Sequence, residues 1–216
     1  PSRTGQAKKQ KFMGAYVKEP QVGMHEWVVS FDLNSLYPHL IMQYNISPET
    51  AVESSDVSLS VDKMLNKEVD VQSHYAITPN GARFSKRKQG FLPEILENLY
   101  DERVLWKNKM IGYQKEFEVT EDPRRKQELN RQIAIAYNNQ MVRKISLNSA
   151  YGAIGNEWFR YFELSSAEAI TSSGQLAIKW VEKAVNKYLN TILSTDHDYV
   201  VAIDTDSIYV RFDELV

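Results

Sequence analysis

The chain has 216 residues, 43% of them apolar, enough to bury a core; it has no cysteine, which excludes disulfides and cysteine-built zinc sites and favours a reducing compartment. No run of 18 apolar residues is present, so no membrane partner is expected and the expectation is a soluble, cytoplasmic protein. The net charge of −2 argues against a uniformly basic nucleic-acid binder, but it hides an asymmetry: residues 83–144 carry 14 Lys/Arg against 9 Asp/Glu, and residues 145–216 carry 5 against 10. A basic middle beside an acidic end suits a polyanion held by one part and a cation held by the other.

In chain order, the opening dozen residues are polar, with Lys8, Lys9 and Lys11 clustered, and read as a loop or linker. Trp27 to Phe31 (WVVSF) is the first strand; it ends in Asp32, and the chain then turns at Tyr37-Pro38 into a short helix. From Ser47 to Gly90 the signals are weaker: a short helix near Val61 to Asn66, and a small hairpin from Tyr75 to Phe84 around Pro79-Asn80-Gly81. Pro93 opens a long helix to about Glu118, with Ile95, Leu96, Leu99, Trp106, Met110, Tyr113 and Phe117 in steps of three and four. Glu121-Asp122-Pro123 restarts a second helix that reaches roughly Ser149. Each is roughly 35 to 40 Å long at 1.5 Å per residue, and together they form an antiparallel helical hairpin. A third helix opens on a capping-box pattern, Ser165-Ser166-Ala167-Glu168, and runs to about Leu193. Ile170, Trp180, Val181, Ala184, Tyr188 and Ile192 form its expected sheet-facing stripe.

The last element, Val200 to Val210, is a strand, a bend and a strand, with Asp204-Thr205-Asp206-Ser207 at the bend. Residues i and i+2 of an extended chain face one side, which aims Asp204 and Asp206 at one volume. Two carboxylates that close stay ionised only beside a cation, and an all-oxygen donor set suits Mg²⁺ or Mn²⁺. A bare D-x-D is more often a solvated turn. Asp32, at the end of another strand, completes a metal site if the two strands are neighbours, and that adjacency is the central expectation. On the long helices, Arg103 and Lys107 are like charges at i, i+4, unfavourable unless an anion bridges them. Lys144 and Asn148 share the same spacing and precede Tyr151-Gly152, where glycine permits a close approach or a bend.

Three separated segments then resemble one family in the same order. Asp32-Leu33-Asn34-Ser35-Leu36-Tyr37-Pro38 is similar to the D-x-x-S-L-Y-P block of family B DNA polymerases, Lys144 to Gly152 (KISLNSAYG) to the K-x-x-x-N-S-x-Y-G block, and Asp204-Thr205-Asp206-Ser207 to the D-T-D-S hairpin. The likeness is greatest to members from T-even-like bacteriophages. It implies an α+β fold: an antiparallel palm sheet backed by helices over residues 1–92 and 150–216, with a two-helix fingers insertion over 93–149. It further implies Asp32 and Asp206, with Asp204 and the Leu33 carbonyl, as ligands of two Mg²⁺ ions for which Mn²⁺ can substitute. Arg103, Lys107, Lys144 and Asn148 would hold the triphosphate of a dNTP, and the N–H groups of Ser35 and Leu36 would cradle it. Tyr37 would lie under the sugar and exclude a 2′-hydroxyl, and Tyr151 and Gly152 would line the nascent base pair. The implied partners are primer-template DNA, dNTPs, exonuclease and thumb regions of the same polymerase, and a sliding clamp, in the host cytoplasm for a phage protein.

The chain departs from the family pattern in its fingers, which are expected to be shorter than in the T-even-like members, in leaving no room for exonuclease and thumb, and in two motifs. Ala202-Ile203 stands where Tyr-Gly is usual, so that Ile203 is expected to crowd a primer end, and Phe12-Met13-Gly14-Ala15 stands where a tyrosine-led element is usual. The leading reading is a polymerase core performing template-directed deoxynucleotidyl transfer in DNA replication. The alternative is a catalytically incomplete nucleotide- or DNA-binding fragment lacking thumb and exonuclease. A D-x-D glycosyltransferase using Mn²⁺ would explain the hairpin but not Asp32, Tyr37 or the Lys144/Asn148 pair.

Overall fold

The structure, a computed structural model, describes residues 14–52, 59–69 and 74–216. The Lys8, Lys9 and Lys11 cluster lies outside the described residues, as do Phe12 and Met13. The fold is α+β, with two separate antiparallel sheets and five helices among the described residues.

The principal sheet is built from the two ends of the described chain. Strands β1 (Val17–Lys18), β2 (Val28–Asp32), β6 (Val200–Asp204) and β7 (Ser207–Arg211) lie in the order β1-β6-β7-β2. The two C-terminal strands are rich in β-branched residues, which suits a pleated, half-buried surface. Val200, Ile203, Ile208 and Val210 are almost wholly buried. The β2–β7 ladder runs from Val28 opposite Arg211 to Asp32 opposite Ser207. The second sheet, in the order β3-β5-β4, comprises β3 (Ala51–Val52), β4 (Tyr75–Ile77) and β5 (Arg83–Ser85), and it includes the hairpin expected around Pro79-Asn80-Gly81.

Helix α1 (Leu36–Tyr44) starts one residue before the expected turn at Tyr37-Pro38. Pro38 fits there because the first-turn N–H groups have no intrahelical partner to lose. Helix α2 (Val61–Leu65) is short and capped by Ser60 Oγ. Helices α3 (Phe91–Val119, 29 residues) and α4 (Pro123–Ile154, 32 residues) form the antiparallel hairpin, roughly 44 and 48 Å long at 1.5 Å per residue. Asp122 caps α4 by accepting a hydrogen bond from the Arg124 N–H, with Pro123 in the first turn. Instead of ending near Ser149, α4 continues through Tyr151 and Gly152, because Leu147 and Ile154 anchor its last turns in a buried cluster.

Helix α5 (Leu164–Leu193) belongs to two cores. Its first turns, through Ala167, Ala169 and Ile170, pack with Ile41, Ile46, Phe84, Leu96, Leu147 and Ile154. Farther along, Ile178 and Leu189 pack on the principal sheet with Val200, Ile203, Ile208 and Val210, flanked by Val181, Val185 and Leu193. The expected stripe is therefore corrected: Ile170 belongs to the other core, and Trp180, Tyr188 and Ile192 are 61%, 66% and 52% exposed. The sheet side takes compact aliphatic residues, and the rings, each with a polar atom that tolerates water, lie outside. The capping box is corrected too. Glu163 holds the cap position without a side-chain bond, and Ser165 and Ser166 are already inside the first turn.

Candidate functional site

The anionic side of the site is made by strand ends. Asp32 closes β2 directly opposite Ser207, whose Oγ–H donates to Asp32 Oδ1 over 3.1 Å. The next N–H, that of Leu33, donates to the Asp206 carbonyl at 2.8 Å, so the ladder carries β2 to the tip of the C-terminal hairpin. At that tip Thr205 takes a left-handed backbone, φ 57°, and donates its N–H to the Tyr16 carbonyl. The Asp206 N–H folds back onto the Asp204 carbonyl at 2.7 Å. This turn separates the D-x-D pair. Asp204 ends β6, exposed, whereas Asp206 sits half-buried in the turn. Burial, then the charge of Asp32, and to a lesser degree that of Asp204, push the Asp206 carboxyl above the usual aspartate range.

Opposite these carboxylates lies a cavity of about 430 Å³. The β2–α1 junction (Asp32, Asn34, Ser35, Leu36, Tyr37 and Pro38) forms one wall, Thr205 and Asp206 another, and Arg103, Lys144 and Asn148 reach in from the helical hairpin. Ser35 is left-handed (φ 53°) and precedes α1. Its carbonyl accepts the His39 N–H and the His39 Nδ1–H, and its hydroxyl accepts from Arg103 Nη1 at 3.0 Å. The His39 ring meets Tyr100 edge-on at 4.6 Å, a second tie between α1 and α3. The Tyr37 ring packs on Tyr151, centroids 4.7 Å apart. Burial, then Tyr151 and Asp206, push the Tyr37 phenol up to about 12, so it remains a neutral hydroxyl at physiological pH.

Carboxylates facing cations across a cavity can fix a metal-bound polyanion, and the comparisons with known proteins give that arrangement its context. The model of DNA polymerase family B matches residues 1–215. The chain belongs to DNA polymerase family B. It is 32% identical to the DNA-directed DNA polymerase of Enterobacteria phage T4 and 33% identical to that of Escherichia phage RB69, in each case over 96% of this chain and 27% of the relative. It is also 34% identical to DNA polymerase 1 of Pyrococcus abyssi, over 93% of this chain and 21% of the relative. The chain thus spans about a quarter of the length of these relatives.

Within this family B chain the expected site residues do not all come together. Lys107, one turn beyond Arg103, is exposed and does not line the cavity, nor does Asp204. Tyr151 reaches it only through its contact with Tyr37. Gly152 is an exposed helical residue at which an added methyl would meet nothing within 4 Å, so it makes neither a bend nor a close approach. The Leu33 side chain packs against the sheet core while its backbone meets Asp206. Ile203 does not crowd the site, because it is 1% exposed and packed under α5.

The donors fit a hard divalent cation. Asp32 and Asp206 supply only oxygen, and the Asp206 carboxyl is raised first by burial and then by the charges of Asp32 and Asp204, a repulsion that a cation would relieve. Among the described residues, no group of three or more His, Cys, Asp or Glu side chains is placed to hold a metal. The sequence reading missed two residues. His39, which orders Ser35, carries no signal beyond a histidine within the first helical turns. Gly174 in α5, which packs against Tyr37, could have been noticed: a glycine inside a helix costs about 1 kcal/mol relative to alanine, which marks a need for space.

No described helix is long and apolar enough to cross a membrane.

Proposed function

We propose that this chain carries the nucleotidyl-transfer centre of a DNA-directed DNA polymerase: it adds a deoxynucleotide, chosen by the template, to a primer 3′-hydroxyl and releases pyrophosphate in DNA replication. The observation that supports this best is the opposition of Asp32 and Asp206 to Arg103 and Lys144 across one cavity. Asp32 and Asp206 would hold two Mg²⁺ ions, which Mn²⁺ could replace, with Asp204 and the Leu33 carbonyl as lesser ligands. When bound, such ions supply charge neutralisation at the phosphates and favour ionisation of the primer hydroxyl.

The chain's own residues would do the rest. Lys144 and Arg103 bind the negative oxygens of the triphosphate, and Lys107 joins them if α3 approaches, an arrangement that links closure to the presence of nucleotide. Asn148 orients the triphosphate by hydrogen bonding. The carbonyl and hydroxyl of Ser35 are already engaged, so its N–H, with that of Leu36 at the start of α1, is the group turned to phosphate. Tyr37, neutral and held by Tyr151, lies beneath the sugar and excludes a 2′-hydroxyl. Tyr151 and Gly152 border the nascent base pair. In this reading residues 1–92 and 150–216 are the palm and residues 93–149 the fingers.

Primer extension with Mg²⁺ and dNTPs tests the proposal. Asp206→Ala is expected to abolish extension while circular dichroism stays unchanged, and extension that survives would defeat the assignment. A second reading is that this chain binds nucleotide and primer-template but needs further regions to turn over. It is favoured by the 27% share of its phage relatives that the chain spans. Joining the chain to exonuclease and thumb regions, with a sliding clamp as the processivity partner, would then restore extension. The cytoplasm, the host's for a phage protein, is the compartment both readings imply.

A further inference from the structure

The floor beneath Tyr37 is a glycine. Gly174 lies where α5 passes from one core to the other, and a methyl group built on it would come within 2.9 Å of Tyr37 Cε1 and 3.7 Å of Leu36 Cδ2 and Leu40 Cδ1. A flexible side-chain tip could swing away from so short a contact, but Cε1 belongs to a rigid ring that also packs on Tyr151. Helix α5 has little freedom to retreat. Ala167, Ala169, Ile170 and Ile178 are fully buried on either side, and Gln175 Nε2 donates to the Gly14 carbonyl at 2.6 Å. Tyr37 also lines the cavity, so a shift of its ring changes the space there.

We infer that Gly174 is a positioning residue for sugar specificity: by leaving room for the Tyr37 ring it fixes how far that ring reaches into the cavity, and so how much space remains at the 2′ carbon of a bound nucleotide. This rests on the reading of Tyr37 given under the proposed function. A larger residue at 174 advances the ring and tightens rejection of ribonucleotides, at the expense of affinity for deoxynucleotides. The effect passes entirely through Tyr37.

The test compares the whole wild-type chain with Gly174→Ala, Tyr37→Ala and the double variant, using primer-template DNA, Mg²⁺, dATP and ATP. Gly174→Ala is expected to raise the dATP-over-ATP preference by at least about threefold, through KM more than kcat. In the same protein the ¹³C-labelled Tyr37 ring resonances are expected to move. In the Tyr37→Ala background the change in preference should vanish. Ring resonances that stay in place, or an equal change of preference without Tyr37, would overturn the inference. If Gly174→Ala does not fold, the double variant should fold as readily as Tyr37→Ala does; a double variant that also fails puts the clash elsewhere and overturns it too. A wild-type chain that neither extends a primer nor distinguishes the nucleotides, alone or joined to exonuclease and thumb regions, defeats the polymerase reading and this inference together. A discriminating wild type with a silent Gly174→Ala defeats this inference alone.

Discussion

The two sides of the cavity are built in opposite ways. Asp32 ends a strand and Asp206 sits in the turn of a hairpin far away along the chain, yet backbone hydrogen bonds join them, over buried Ile208 and Val210. Arg103 and Lys144 stand on two long helices whose mutual contacts are chiefly with each other. Along α3 only Pro93 and Leu96 are buried, both near its start. Along α4, by contrast, Leu129, Ala136 and Leu147 are fully buried, and surface ion pairs, Arg143 with Glu102 and Arg125 with Glu116, add links between the two helices, though such pairs contribute little. The anionic side is therefore fixed by a strand ladder over a core, while on the cationic side Lys144 stands on a helix with buried anchors and Arg103 on α3, which beyond Leu96 buries no residue and is the less firmly held element. Under the proposed function, a site that admits one nucleotide after another would make use of that difference.

The comparison can be broken most decisively at the carboxylates. Asp206→Asn removes a charge but little volume, and primer extension by single-turnover assay should fall by on the order of 10³-fold while the melting temperature holds. Extension within tenfold of wild type would place the chemistry elsewhere. Next comes a matched pair of truncations. Ile208→Ala in the sheet, 2% exposed, should cost roughly 2–5 kcal/mol in urea unfolding, whereas Ile145→Ala on α4, 59% exposed, should stay within about 0.5 kcal/mol. Equal costs would mean that the hairpin is as firmly built as the sheet. On the cationic side, Lys144→Ala should raise the KM for dNTP about tenfold, the worth of one hydrogen bond to a charged group, and leave stability unchanged. A lowered melting temperature with normal KM would reassign Lys144 to structure.

The smallest effect concerns the far edge of the sheet. Lys18 of β1 bonds both Glu182 of α5 and Asp198, each at 2.6 Å. Burial alone would lower the Lys18 ammonium, but the hydrogen bonds it donates to Asp198 and Glu182, with the charges of both, outweigh it and leave it raised. Burial likewise works to raise Asp198, and the bonds from Lys18 and Asn186 leave it lowered. A lowered carboxyl contributes stability above the usual aspartate range and loses it as pH falls through the lowered value; a raised ammonium contributes below 10.5 and loses it as pH rises through the raised value. Lys18→Met should therefore cost about 1 kcal/mol across neutral pH, with the difference from wild type shrinking in acid and in strong alkali. A difference that grew in acid would show that the pairs are not what binds β1.

Much of this was legible in the sequence. Strong periodicity marked the three long helices, and β-branched runs marked the strands around Asp32 and Asp206. The adjacency of those strands was an inference from chemistry, and the ladder between Asp32 and Ser207 realises it. Less legible were features set by tertiary context. Helix α4 outruns Ser149 because Ile154 finds a core, and the α5 stripe was misread because rings score as apolar yet sit in water. Asp204 and Asp206 part company because the alternation rule holds for extended chain, and Asp206 is in a left-handed turn's wake. The role of Gly174 depends on a neighbour more than 130 positions away in the chain.

Helix α5 carries one more consequence. Because a single 30-residue rod is buried at one end among α1, α3 and α4 and at the other against the sheet, neither cluster can melt without stripping shelter from its neighbour. The two hydrophobic clusters thus behave as one thermodynamic body with a shared keel, and heating should dissolve them in a single step.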